Sequence, residues 1–189
     1  EIEILRSRLV VGQAVSNLQL DLDVKPKYIP LVGRWLSRRA TEPSNPGFLG
    51  MDGYVSGTEA LQVAYLQVPP ALEDTRFSVV LAVDGYELLS PDGDSLGQGV
   101  FGKPLAFKHE GTAGELLVAS AVGQPGAQFY VTRFSHLFVT EKLQEDMKIA
   151  EQGKQSGVIR ASLEGREPEV IARTLNEIGT LYVRQNVER

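Results

Sequence analysis

The sequence predicts an α+β fold, an antiparallel or mixed β-sheet packed by an N-terminal helix and a long C-terminal helix, and three observations predict it. Near the end of the chain, Val170, Ile171, Thr174, Leu175, Ile178, Leu181 and Tyr182 recur at three- and four-residue steps, which draws one apolar stripe along a charged rod. A β-rich middle at about 58–134 alternates apolar and polar residues and is punctuated by Asp84-Gly85 and Asp92-Gly93, both hairpin signals. At the start, Ile4, Leu5, Val11, Ala14, Val15 and Leu18 mark the core face of a helix from Glu1 to Leu18.

Taken in order, Asp21 to Tyr28 follows the first helix as an extended segment. Leu61 to Val68 alternates as a half-buried strand does, and Pro69-Pro70 ends it. Phe77 to Val83 and Tyr86 to Leu89 form a hairpin through Asp84-Gly85, so this part is antiparallel. Gly114 to Val122 and Gln128 to Phe134 are two further strands around the Gln124-Pro-Gly126 turn. Ser135 caps a helix running to about Asp146. Lys148-Ile-Ala and a strand from Val158 to Leu163 lead into the final helix, Arg166 to Arg189. Pro168 stands in the first turn of that helix, where its missing N–H costs nothing, and Glu167 and Glu169 face the positive end of the helix dipole. With no Gly or Asn to close the far end, the helix is expected to continue beyond Arg189 as part of a longer chain. No repeat or linker interrupts the pattern, so residues 1–189 are expected to form a single domain.

Composition excludes less than pattern does. A chain that is 42% hydrophobic and 23% charged has the makeup of a folded domain, not a disordered one. No apolar run approaches the roughly 18 residues of a membrane helix. Cysteine is absent, which removes disulfides, thiol nucleophiles and sulfur metal sites. A net charge of −5 argues against nucleic acid as a partner.

Motifs for chemistry are present only as fragments. Gly97-Gln-Gly-Val-Phe-Gly102 matches the G-x-G-x-x-G string, but Pro104 follows within two residues and Leu105 to Lys108 reads as extended. A dinucleotide loop must open a helix, and a kinase glycine loop needs a following lysine strand and the His-Arg-Asp and Asp-Phe-Gly elements, none of which occurs. The string therefore reads as a β-turn segment. His109 and His136 lack spaced partners, no Ser lies in a G-x-S-x-G elbow, and the acid pairs Glu73-Asp74 and Asp92/Asp94 fall in Pro- and Gly-rich turns. No catalytic, cofactor-binding or metal-binding residue is assigned.

One segment stands apart. Ile29-Pro-Leu-Val-Gly-Arg-Trp-Leu-Ser-Arg-Arg39 places the single Trp of the chain, Trp35, among Arg34, Arg38 and Arg39. Such a mixture suits a membrane interface or an anionic partner; alternatively, the apolar residues pack on the domain and the arginines are solvated.

The run Glu3 to Leu22, with Arg6-Ser-Arg8 ahead of an apolar helix, together with Ser156-Gly-Val-Ile, Leu163-Glu-Gly, Ala172-Arg-Thr-Leu-Asn and Tyr182 to Arg189, resembles the periplasmic domain of Wzz-type chain-length determinants, the polysaccharide co-polymerases. Tyr86 to Gly102 and Gly126 to Ser135 are similar to the subclass whose full chain carries a cytoplasmic tyrosine kinase. The resemblance implies a non-catalytic periplasmic scaffold of a bacterial inner-membrane protein that governs exopolysaccharide or capsule polymerisation, chain length and export. It also implies a ring of copies of itself, contact with a polysaccharide polymerase and an outer-membrane exporter, contact with polysaccharide, and ATP and Mg bound only by a kinase domain outside this chain. A free-standing periplasmic carbohydrate-binding module and a glycan-processing enzyme are the alternatives. The first calls for exposed aromatics on a strand face and the second for a carboxylate or His constellation.

Overall fold

Arg6-Ser7-Arg8 carries a helix-start signal inside the apolar stripe of the first predicted helix. The computed structural model of the chain, which describes residues 2–47, 52–153, 158–165 and 167–187, breaks the helix there. Ser7 takes extended angles, its Oγ accepts from the Val10 N–H at 3.3 Å, and the segment becomes α1 (Ile2–Leu5) and α2 (Arg8–Leu18). Gln19, in the left-handed region at φ 51°, ends α2. The expected positions of Glu1, Ser156-Gly157, Arg166 and Glu188-Arg189 lie outside the described residues.

The chain divides into two compact units, one made of Glu1–Asp21 with Ser135–Arg189 and the other of Leu22–Phe134. In the first, α1 and α2 are joined by α4 (His136–Asp146), the antiparallel hairpin β9 (Lys148–Glu151) with β10 (Ile159–Ser162), and α5 (Pro168–Val187). Ser135 holds the cap position of α4 as expected, but its side chain makes no capping bond. Leu5, Val10, Val11, Ala14, Val15, Leu143, Met147, Ile178 and Leu181 form the core of this unit. The stripe of α5 was expected against a β-sheet; within the unit it closes on α1 and α2, with Ile159 of the small hairpin at the margin. The centre of that stripe is also shifted: Thr174, Ile178 and Leu181 are buried, whereas Leu175 is only half-buried. Thr174 satisfies its buried hydroxyl on the Val170 carbonyl at 2.8 Å. Asn17 of α2 donates to Glu177 of α5 at 2.7 Å and fixes the register of the pair.

The second unit is antiparallel throughout its named strand pairs. One sheet has the order β1-β8-β3-β4-β5 and the other β2-β7-β6. The strands are β1 (Leu22–Pro26), β2 (Ala60–Gln67), β3 (Arg76–Ala82), β4 (Gly85–Leu89), β5 (Ser95–Gly99), β6 (Pro104–His109), β7 (Thr112–Val122) and β8 (Gln128–Arg133). Alternation places Phe77 and Val79 of β3, Phe129 and Val131 of β8, and Leu88 of β4 in the core; Leu66 of β2, Leu116 of β7 and Phe107 of β6 join the same cluster. Phe77 meets Phe107 edge-on at 5.3 Å between ring centres. Full burial of each such ring is worth about 1.5–3 kcal/mol. The sheets come close along both margins, β1 beside β2 and β5 beside β6, while each of these four strands is hydrogen-bonded to a named strand on one side only. Pro26 is tolerated because β1 pairs on one side only. Strand β5 and the short helix α3 (Gly33–Ser37) are additions to the predicted elements.

Ile178→Ala is expected to destabilise the first unit by about 2–5 kcal/mol, and Leu175→Ala by roughly half that or less, because only Ile178 leaves an enclosed void. Urea denaturation followed by circular dichroism compares the two. A midpoint shift for Ile178→Ala no larger than that for Leu175→Ala would mean that α5 docks through another face.

Candidate functional site

Residues 29–39 leave the sheet on a built base. The Lys27 N–H donates to the Gln128 carbonyl at 2.8 Å, the Val55 N–H to the Lys27 carbonyl at 2.9 Å and the Ile29 N–H to the Val55 carbonyl at 3.1 Å, so Tyr28 and Val55 form a parallel bridge. From that bridge the chain turns sharply. Leu31 sits in the left-handed region at φ 69°, an uncommon state for a branched apolar residue, and the Gly33 N–H closes back on the Ile29 carbonyl at 2.9 Å. A Cβ on Gly33 would press on Tyr28 at 3.0 Å, so a larger residue fits there only if Tyr28 shifts by a few tenths of an ångström.

Helix α3 and the turn that follows it present all four residues singled out by the sequence, Arg34 and Trp35 on the helix and Arg38 and Arg39 just after it, on the exposed surface. Packing of the apolar residues onto the domain, the competing expectation, is not what is found: Leu31 is 102% exposed and Trp35 55%, with Val32 and Leu36 also in solvent. The Arg39 guanidinium lies 4.3 Å over the indole ring. None of the three arginines has an ion-pair partner among the described residues. The arrangement is an apolar knuckle with exposed guanidinium groups, one of them stacked on the indole, on a hydrogen-bonded base.

Support for the base comes from a residue that the sequence did not single out. Glu59 is buried, and its carboxylate accepts from the Ser44 N–H, from Ser44 Oγ at 2.7 Å and from the Gly57 N–H at 2.8 Å. These bonds strap the segment leading to Val55 onto the start of β2. An acid just ahead of an alternating strand reads as solvated, and nothing in its neighbours announces the three donors.

A second feature lies on the outer face of the five-stranded sheet. Tyr130 and Thr132 of β8 stand between Asp23 and Lys25 of β1 and Arg76 and Ser78 of β3, along a groove of about 560 Å³. Lys25 Nζ pairs with Asp23 Oδ2 at 2.8 Å, and Arg76 lies 5.2 Å over the Tyr130 ring. Burial raises the Tyr130 phenol above its usual range, the nearby Tyr54 adds to this and Arg76 opposes it, so the hydroxyl remains an O–H donor well past neutrality.

The remaining sequence candidates are structural. Gly97 and Gly99 lie on β5, and Gly102, at φ 74°, turns the chain into β6 with its N–H on the Val118 carbonyl at 2.8 Å. No helix opens after the string. Gly99 is required because a Cβ there would lie on the buried Tyr86 ring. His109 packs edge-on against Phe77 at 5.8 Å, and His136 Nδ1 is 3.1 Å from the buried Asp21 carboxylate. Asp74, at φ 62°, donates its N–H to the Arg133 carbonyl, and Asp94 closes the turn with Ser90.

Residues 22–134, the same span as the β-rich unit, match the family model described as the tyrosine-protein kinase Wzc, N-terminal domain. Over its whole length the chain is 47% identical to the putative tyrosine-protein kinase EpsB of Ralstonia solanacearum. It is 30% identical to the tyrosine-protein kinase wzc of Salmonella typhimurium and 28% to the tyrosine-protein kinase etk of Escherichia coli K12, again over all of its length. It spans about a quarter of the length of these curated relatives, 25%, 24% and 24%.

Gly99→Ala is expected to cost about 1–3 kcal/mol through overpacking against Tyr86. ATP with Mg is expected to leave the melting temperature of the unmodified chain unchanged. A nucleotide-dependent rise that Gly99→Ala abolishes would make the string a phosphate loop after all.

Proposed function

The chain belongs to the family of the Wzc tyrosine-protein kinase N-terminal domain, and on that premise we propose that it is the periplasmic scaffold domain of a bacterial inner-membrane polysaccharide co-polymerase. In this reading the parent protein controls the polymerisation, chain length and export of an exopolysaccharide or capsule. It works as a ring of identical copies beside a polysaccharide polymerase and an outer-membrane exporter. The observation that carries the proposal is the coincidence of the family match with one compact unit, residues 22–134, inside a chain whose relatives are tyrosine kinases about four times its length. ATP and Mg then belong to the kinase portion of the parent. The strand-and-turn setting of Gly97 to Gly102 supports placing the nucleotide chemistry there. What this chain contributes is a two-sheet β unit around one core, suited to positioning partners.

The groove beside Tyr130 favours a second reading, in which the domain also touches polysaccharide as a carbohydrate-binding module does. An aromatic ring flanked by a hydroxyl pair, Ser78 and Thr132, and by charges of both signs matches the stacking and hydrogen-bonding needs of a sugar ring.

Replacing residues 22–134 of the full-length parent with a flexible Gly/Ser linker should remove high-molecular-weight polymer while tyrosine phosphorylation by the kinase portion persists. Gel analysis of the polymer and anti-phosphotyrosine blotting read the two effects, and an unaltered polymer distribution would refute the scaffold role. For the second reading, electrophoresis in a gel containing the host's polysaccharide should retard the 189-residue chain, and Tyr130→Ala should restore its mobility at least tenfold toward the free value. Equal mobility with and without polymer would remove that reading alone.

A further inference from the structure

We propose that the knuckle around α3 docks on an anionic lipid bilayer surface, with Leu31, Trp35 and Leu36 entering the headgroup region and Arg34, Arg38 and Arg39 pairing with lipid phosphates. Three observations converge on this occupant. The apolar residues stand in solvent at a turn that strains Leu31, and a hydrogen-bonded base holds them there, so their exposure is a product of the fold. The only cations of residues 29–39 are three arginines with no acidic residue among them and no ion-pair partner in the described residues, in a chain whose net charge is −5. The third is the stacking of Arg39 on Trp35 at 4.3 Å, which sets a guanidinium at the same depth as the indole. That is the depth at which aromatic anchors and phosphate-binding cations coexist in a bilayer interface. A protein partner would need a surface both acidic and apolar. A membrane surface supplies both over any area, without a matching shape.

The inference stands on the patch alone and does not need the polymer-related reading. Trp35 is the single tryptophan, so its fluorescence reports on this site and no other. The 189-residue chain is mixed with vesicles of phosphatidylcholine containing roughly one-third phosphatidylglycerol, and with vesicles of phosphatidylcholine alone. Emission should move to shorter wavelength and the protein should co-sediment with the anionic vesicles only, an association weakened by raising salt. The variant R34Q/R38Q/R39Q, whose substitutions are all on the surface and whose melting temperature should match the parent's, should lower partitioning roughly a hundredfold, given the attraction of each cation near an anionic surface. Leu31→Ser should also weaken sedimentation while leaving the salt dependence in place. Absence of both the emission shift and sedimentation overturns the proposal. So does equal binding to the two vesicle types that the arginine variant leaves untouched. An emission shift that grows with protein concentration in the absence of lipid would assign the patch to a second copy of the chain and also overturns it.

Discussion

The pairing of β1 with β8 is the constraint on which the β-rich unit depends. Leu22 lies opposite Arg133 and Pro26 opposite Phe129, so the residues at which the chain crosses into and out of the unit are hydrogen-bonded neighbours. Strand β8 is satisfied on both sides, by β1 and by β3, and Phe129 and Val131 face the core from it. A segment of more than a hundred residues is thereby closed on itself at the point where it interrupts the helical unit. Closing so long a loop carries a large entropic cost, which the β1–β8 contacts can offset only when the core behind them is formed. The unit therefore behaves as an insert with a zipped base. That property explains how a family model can begin and end at residues 22 and 134 while the relatives align over both units.

From that base the surface knuckle follows. The Lys27 N–H and carbonyl continue the pairing beyond β1, to Gln128 and to Val55, and Val55 passes it to Ile29. The position of Val55 in turn depends on Glu59, a buried carboxylate that stays hydrated in effect because three donors replace water around it. Gly57 lets the strapped segments approach, since a Cβ there would strike the Pro43 carbonyl carbon and the backbone of Ser44 and Glu42. The strain at Leu31 is thus held by backbone bonds within the unit, and no bond from its own side chain is needed.

Much of the fold was legible in the sequence, and the reasons for the misses are local. Asp84-Gly85 announced the β3–β4 hairpin one residue late, since the loop is Val83-Asp84 and Gly85, where a Cβ would strike the Gly99 carbonyl, already pairs with Ala82; the three-and-four spacing of α5 survives as a buried row through Thr174, Ile178 and Leu181. Strand β5 was hidden by its glycines, which look like turn residues but are small because Tyr86 lies over Gly99 and Leu105 over Gly97. The break at Ser7 was spelled out by a capping residue, yet the apolar rows on either side stay in phase and mask it. Of the candidate site, the Trp and Arg content was readable because such a mixture is unusual on a solvated face. Its exposure was not, because Leu31, Val32 and Leu36 carry the same letters whether buried or presented. The Glu59 network could not be read at all, since its partners lie 15 and 2 residues away in segments without periodicity.

The contrast between local and total charge adds a final constraint. A chain with net charge −5 is repelled as a whole by an anionic surface, and at physiological ionic strength that repulsion is felt only within about 8 Å. Inside that range the outcome depends on which face arrives. At the knuckle the nearest charges are three arginines within six consecutive residues, whereas acidic residues outnumber basic ones over the chain, 24 against 19. In the proposed docking the arginines attract an anionic surface at this face while the net negative charge of the chain opposes a random approach, so charge would select the orientation. Apolar contact by Trp35 and Leu31 then adds a short-range term with no sign preference. In that docking, orientation is decided electrostatically before the apolar term acts, which calls for cations on the same face as the apolar residues, as Arg39 over Trp35 provides.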